Sequence, residues 1–259
     1  MRDALRAELT KARTVRGPSA LGVALVVTFV AVTAATVTAT GAPHGADPVD
    51  VVRLSLSGVI LAQVLVVALA VQLVGVEHST GILQVSLLAV PRRWPVAAAK
   101  GLLIAGWTLA TGVPAVLLSL LAGRALLPRE GYDPAHGYAL LDLTDGPTLR
   151  AAGGAVLYLA LVGIISGGVA LAVRESAAAT TGTLALLYLF PVLIALVNDP
   201  LWQERLTRFG PMPAGSALWG TRPGSVTAGE GLATLAAWSV AAATVGVAAL
   251  LRRGGTGSR

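Results

Sequence analysis

The feature that most limits what this chain can fold into is a succession of six apolar stretches, residues 19–40, 54–76, 100–122, 151–173, 177–197 and 232–251, separated by polar or Gly- and Pro-containing segments. About 20 residues at 1.5 Å rise cross the roughly 30 Å hydrocarbon layer of a bilayer. Inside that layer only the segment itself can satisfy its backbone amides, so each stretch reads as a helix. The expected fold class is an all-α membrane protein with six transmembrane helices. Composition agrees, since 12% of the residues are charged, against about 25% in soluble domains. The mean hydropathy of +0.76 points the same way.

The formal net charge of +6 would direct a soluble protein toward nucleic acid. Here the cations fall mostly between apolar stretches, where they set orientation in the membrane, so the expected partner is a lipid bilayer and no nucleic acid. The chain has no cysteine, which removes disulfides and thiolate metal sites. The stretch 19–40 exceeds the roughly 7–15 residues of a secretory h-region, and Asp3 and Glu8 lie in its flank, so it is expected to be a retained first span. In residues 1–18, Leu5, Leu9 and Ala12 have helical spacing among Arg2, Arg6, Lys11 and Arg13. That pattern fits an N-terminal amphipathic interfacial helix, or alternatively a solvated basic flank. Gly17 and Pro18 are expected to break the chain before the first span.

Six spans put both termini on one side. That side holds twelve Lys and Arg (Arg2, Arg6, Lys11, Arg13, Arg16, Arg92, Arg93, Lys100, Arg174, Arg252, Arg253 and Arg259), and the other side holds seven (Arg53, Arg124, Arg129, Arg150, Arg205, Arg208 and Arg222). The excess of cations places both termini, including the tail 252–259, and the 77–100 connection in the cytoplasm of a multi-pass cell-membrane protein.

Within the spans, Gly112 and Pro114 in the third and Pro191 in the fifth are expected to interrupt or kink their helices. Gly163-x-x-x-Gly167 in the fourth has the spacing that lets helices approach closely, with a contact inside the chain favoured over one between subunits. Residues 123–150 read as an exposed outer connector. Residues 198–230 carry Trp202, Phe209 and Trp219 among Pro200, Pro211 and Pro213, and read as short interfacial or re-entrant helices.

Catalytic motifs are missing from the sequence. Neither Lys11 nor Lys100 follows a glycine, so there is no phosphate-cradling Gly-Lys-Ser/Thr loop, and no Gly-x-Ser-x-Gly elbow or His-Glu-x-x-His helix occurs. Glu77 and His78 are adjacent, hence about 100° apart on a helix, with no third ligand at helical spacing. His44 and His136 fall in outer loops without a constellation. No catalytic, cofactor-binding or metal-binding residue is expected, and the chain is not expected to be an enzyme. The spans also carry few ionisable groups, the main polar residues of the second being Gln63 and Gln72. Ion-coupled carriers hold ionisable groups at mid-membrane depth, so energy for any transport would come from another polypeptide.

The 77–93 segment stands apart. Ile82, Val85, Leu88 and Ala89 form a helical stripe, Ser79 and Thr80 suit an N-cap, Pro91 stops the helix, and Arg92 and Arg93 follow. The stripe alone fits a helix presented to a partner or one that merely anchors the connection. Together, Glu77, Ser79-Thr80-Gly81-Ile82, 83–88, Ala89-Val90-Pro91-Arg92-Arg93 and Ala99-Lys100 resemble the cytoplasmic loop of type 2 ABC-transporter permeases, particularly six-span permeases of actinobacterial type. Residues 6–14 are similar to the N-terminal segment of that group, and 202–217 to its outer segment before the last span.

The resemblance implies a permease subunit, paired in a permease dimer and driven by a separate ABC-type ATPase subunit that binds the ATP and Mg. Glu77, Gly81, Ile82, Leu83, Val85, Leu88, Pro91, Arg92 and Arg93 would then form a cytoplasmic coupling helix between spans two and three that contacts the ATPase. It implies export of a substrate that the resemblance does not specify. The competing classes are a non-transporting membrane anchor or regulator, and an intramembrane enzyme.

Overall fold

The computed structural model describes residues 16–41, 49–80, 94–136, 138–173, 175–222 and 224–252. Among them the chain forms nine α-helices and three short 3-10 turns, with no strand. The helices are α1 (Arg16–Thr40), α2 (Val51–Ser55), α3 (Val59–Thr80), α4 (Trp94–Leu126), α5 (Gly146–Ala172), α6 (Ser176–Leu196), α7 (Pro200–Phe209), α8 (Pro211–Gly215) and α9 (Ala228–Arg252). Five of them, α1, α4, α5, α6 and α9, are long and apolar enough to cross a membrane, and the 59–75 part of α3 is a shorter apolar helix. The chain is a helical, multi-pass membrane protein by the length and composition of these segments.

The helix α5 is the hub. In its most apolar window 67% of residues are buried, against 17% in α6 and in α9. Small residues allow this. A Cβ on Gly168 would meet the backbone of Ala242 at 2.5 Å, and one on Gly246 would meet the Gly168 carbonyl oxygen at 2.5 Å, so α5 and α9 touch backbone to backbone. Without a hydrophobic force between helices in lipid, such close van der Waals contact is what holds them together. Gly163 and Gly167 face α4, against Ile104 and Thr108, so this spacing serves a contact inside the chain.

Several sequence expectations are corrected. Gly17 and Pro18 lie in the first turn of α1 and do not break the chain, because the first amides of a helix have no intrahelical partner and proline sacrifices nothing there. α4 and α6 run without interruption through Pro114 and Pro191. α4 begins at Trp94, so Lys100 is a helical residue, 2% exposed, and not part of a loop.

The interruption falls instead in the second apolar stretch, at Leu56–Gly58 between α2 and α3. The amides of Leu56 and Ser57 turn back on Arg53 and Leu54, and the Ser55 carbonyl accepts hydroxyls from Ser119 at 2.6 Å and Thr33 at 3.2 Å. The Gly58 amide donates to the Thr33 hydroxyl at 3.3 Å. A broken helix survives in an apolar bundle only when neighbours satisfy the freed groups, and two hydroxyls from α1 and α4 do so here. Gly58 is needed because a Cβ would collide with the Phe29 backbone.

The connector after α4 is also less exposed than the sequence suggests. It folds into two 3-10 turns, Leu127–Glu130 and Pro134–His136, and buries Leu127, Tyr132 and Leu141. The Tyr132 hydroxyl donates to the Gly41 carbonyl at 2.5 Å, and its ring meets Tyr138 edge-on at 5.1 Å.

The segment after α6 turns back into the bundle. Asp199 caps α7, accepting the Leu201 amide at 2.8 Å, and α7 returns alongside α6 until Gly210 packs on Phe190. Phe190 lies six residues before the end of α6, so the tip sits about 9 Å below that end at 1.5 Å per residue. The Trp238 indole donates to the Phe209 carbonyl at 3.0 Å and the Thr234 hydroxyl to that of Arg208 at 3.1 Å, satisfying the exposed end of α7. α8 then climbs back, with Gly215 seated against the rings of Tyr158 and the side chain of Leu235.

Candidate functional site

The hairpin of α7 and α8, the broken second stretch and the end of α6 line an open cavity of about 630 Å³. From α2 and the break come Asp50, Arg53, Leu54 and Ser57, and from α3 comes Ile60. Pro191 and Ile194 of α6 form the facing wall, and Thr207, Met212, Ser216 and Trp219 come from the hairpin. This volume is within the range of small-molecule sites, roughly 300–1,000 Å³, and the lining has the usual character of an apolar surface with few polar groups.

Behind the wall lies a closed polar network. Tyr158, fully buried on α5, donates its hydroxyl to the Gln63 carbonyl oxygen, and the Gln63 amide donates to the Met212 sulfur at 3.4 Å. The Tyr158 ring meets Trp219 edge-on at 4.6 Å. Gln63 thus spends one end of its amide on α5 and the other on the hairpin, as a buried polar group must. Across the cavity, the Tyr188 hydroxyl donates to the Ile60 carbonyl at 2.6 Å and ties α6 to α3.

At the mouth, Asp50 joins the two sides. One carboxylate oxygen takes the Arg53 amide at 2.9 Å, capping α2, and the Thr221 hydroxyl at 2.7 Å. The other takes the amides of Thr221 at 2.7 Å and Arg222 at 3.2 Å. Burial pushes the Asp50 carboxyl up, but these four bonds together outweigh it and hold it below its ordinary value. The same strand of chain is held from α5, where the Arg150 guanidinium donates to the Gly220 carbonyl at 2.7 Å.

The residues singled out from the sequence lie elsewhere. Glu77 falls in the last turn of α3, with its side chain outside the described residues, and Gly81, Ile82, Leu83, Val85, Leu88, Pro91, Arg92 and Arg93 all lie outside the described residues. Ser79 and Thr80, read as caps of a new helix, instead continue α3, since extending an existing helix costs less than nucleating another. From Ile60 to Thr80 is 20 residues of helix, about 30 Å, so the cavity lies at the end of α3 opposite Thr80. His136 bonds Asp133 at 2.7 Å on an exposed turn, and no cluster of three metal-ligating side chains exists among the described residues.

The cavity residues went unnoticed in the sequence because each is ordinary in isolation. Ser55-Leu56-Ser57-Gly58 is a turn signal inside an apolar run, and Asp50 stands where an N-cap belongs. Both were legible. The pairing of Asp50 with Thr221, across 171 positions, was not.

No protein-family model matches this sequence, and no curated protein matches it. The likeness to ABC permeases therefore stands on the residues of the 77–100 connection and the order of the segments.

Proposed function

We propose that this chain is the membrane-spanning permease subunit of an ATP-driven exporter. In this reading α3, at 22 residues, is the sixth span beside α1, α4, α5, α6 and α9. Both termini and the 77–93 coupling helix face the cytoplasm, where an ABC-type ATPase subunit binds. A second permease chain completes the unit, and ATP and Mg reside on the ATPase.

The observation that carries this reading is the position of the cavity, at the end of α3 opposite Thr80, the residue after which the segment that resembles a coupling helix continues in sequence. A transporter driven from one face needs a compartment that opens toward the other. The wall of this cavity contains the apolar stretch that, among the described residues, is interrupted, and α2 is joined to α3 through the Leu56–Gly58 turn. Broken helices whose backbone lines a cavity recur at substrate sites of transporters. Movement of α3 from its cytoplasmic end would reach this turn through a rigid helix.

The test is reconstitution. If a neighbouring reading frame encodes an ATP-binding-cassette protein, the chain co-expressed with it should purify as a complex and show ATPase activity that falls at least severalfold with Leu83→Asp or Arg92→Glu; the absence of such a frame would count against the proposal. A chain that forms no complex with that protein, or a complex indifferent to both substitutions, would sink the proposal and favour a membrane anchor.

A further inference from the structure

The polar groups left over on the cavity wall define what it would hold. Asp50 is spent: each carboxylate oxygen already accepts two hydrogen bonds, so a cationic ligand would find no open lone pair without dismantling the mouth. Ser57 is the opposite case. Its hydroxyl oxygen is buried and, among the described residues, has no hydrogen-bond partner. Such an orphan is uncommon in a folded chain and points to a group that supplies the missing bond.

Arg53 lines the same cavity, and among the described residues its guanidinium makes no hydrogen bond or ion pair. Arg53 is the one cation among the residues that line the cavity, beside the Asp50 carboxylate that the Thr221 and Arg222 amides already occupy. The remaining wall is apolar, and Ile60, 42% exposed, places its edge beside the lipid-facing surface.

We propose that the cavity binds an amphiphile with an anionic head of the phosphate or carboxylate type. The head sits at Arg53, whose planar fork matches the paired oxygens of such groups, and accepts the Ser57 hydroxyl. The apolar body runs along Ile60, Ile194, Met212 and Trp219. This names the ligand class of the cavity on which the transport reading rests. The binding test below needs no ATPase, so the two can fail separately.

The experiment uses the full chain in phosphatidylcholine nanodiscs with three diazirine-tagged dodecyl probes bearing a phosphate, a hydroxyl or a trimethylammonium head. Labelled peptides are quantified by mass spectrometry, with unlabelled dodecyl phosphate as competitor. Saturable labelling by the phosphate probe, concentrated in peptides covering 53–60, 191–196 and 211–219, is expected. Arg53→Gln should weaken it about tenfold or more, as loss of a charge-assisted bond does, and Ser57→Ala severalfold. Arg53→Lys should restore part of the loss, and Arg129→Gln, on an exposed turn, should change nothing. Equal labelling by all three heads, labelling scattered over the lipid-facing helices, or indifference to both Arg53→Gln and Ser57→Ala would overturn the proposal.

Discussion

Replacing Asp50 with alanine is the most direct probe of how the two sides of the cavity mouth are held together. The side chain is half-buried and accepts four hydrogen bonds, one as the cap of α2 and three from Thr221 and Arg222. Loss of an N-cap costs about 1 kcal/mol. Bonds to a charged acceptor are worth roughly 1.5–3 kcal/mol when buried, but water can reach these donors once the clasp is gone, so the three together contribute about 1–2 kcal/mol. The sum, about 2–3 kcal/mol, is local: it acts on the 219–222 segment and α2, while the helix packing around α5 is untouched.

Hydrogen exchange followed by mass spectrometry reads this directly, because amides of a clasped segment exchange through its local opening. Protection of the peptide spanning 219–222, which feels the clasp and not the α2 cap, should fall about 5- to 30-fold, since each 1.4 kcal/mol is a factor of ten. Peptides within α5 and α9 should keep theirs. Asp50→Asn retains a good cap and one acceptor oxygen, so its loss should be intermediate. Unchanged exchange at 219–222, or loss spread evenly over the bundle, would refute the reasoning. The pH dependence has a definite sign. The folded Asp50 carboxyl lies below its ordinary value, so its contribution is fully present above about pH 5 and disappears as pH falls through and below about 4.

Other perturbations test the supports around the cavity. Tyr158→Phe should lower the thermal midpoint by stranding the Gln63 carbonyl at a cost of about 1–3 kcal/mol, and adding Gln63→Leu should recover much of the loss in a thermal-shift assay. Gly168→Val should prevent α5 and α9 from meeting and abolish a stable monodisperse protein in size-exclusion chromatography, whereas Gly182→Ala, which meets nothing within 4 Å, should leave the profile unchanged. Thr33→Val combined with Ser119→Ala removes both hydroxyls from the Ser55 carbonyl and should raise hydrogen exchange at Leu56–Gly58 by tenfold or more.

The sequence by itself determined the solvent, the helical class and the approximate place of each long helix. It could do so because hydrocarbon forbids unpaired backbone amides, so a run of about 20 apolar residues has no alternative to a helix. That 198–230 forms short helices and not a free loop was legible for a related reason: Trp202, Phe209 and Trp219 would be out of place in a free loop. The Gly163 and Gly167 contact was equally open to a sequence reading, since small residues at that spacing have few other uses in a membrane helix.

What tertiary structure alone decided was where the backbone breaks and what the break faces. The prolines of α4 and α6 look like the obvious weak points, yet both helices pass through them, while Leu56–Gly58 opens because Thr33 and Ser119 stand ready to take its freed groups. The clasp of Asp50 on Thr221 and the seat of Gly215 on Tyr158 likewise join residues far apart in the chain. Hydropathy and helical spacing report what a segment buries. Which distant partner satisfies a polar group is settled only when the helices pack, and the cavity is made of those meetings.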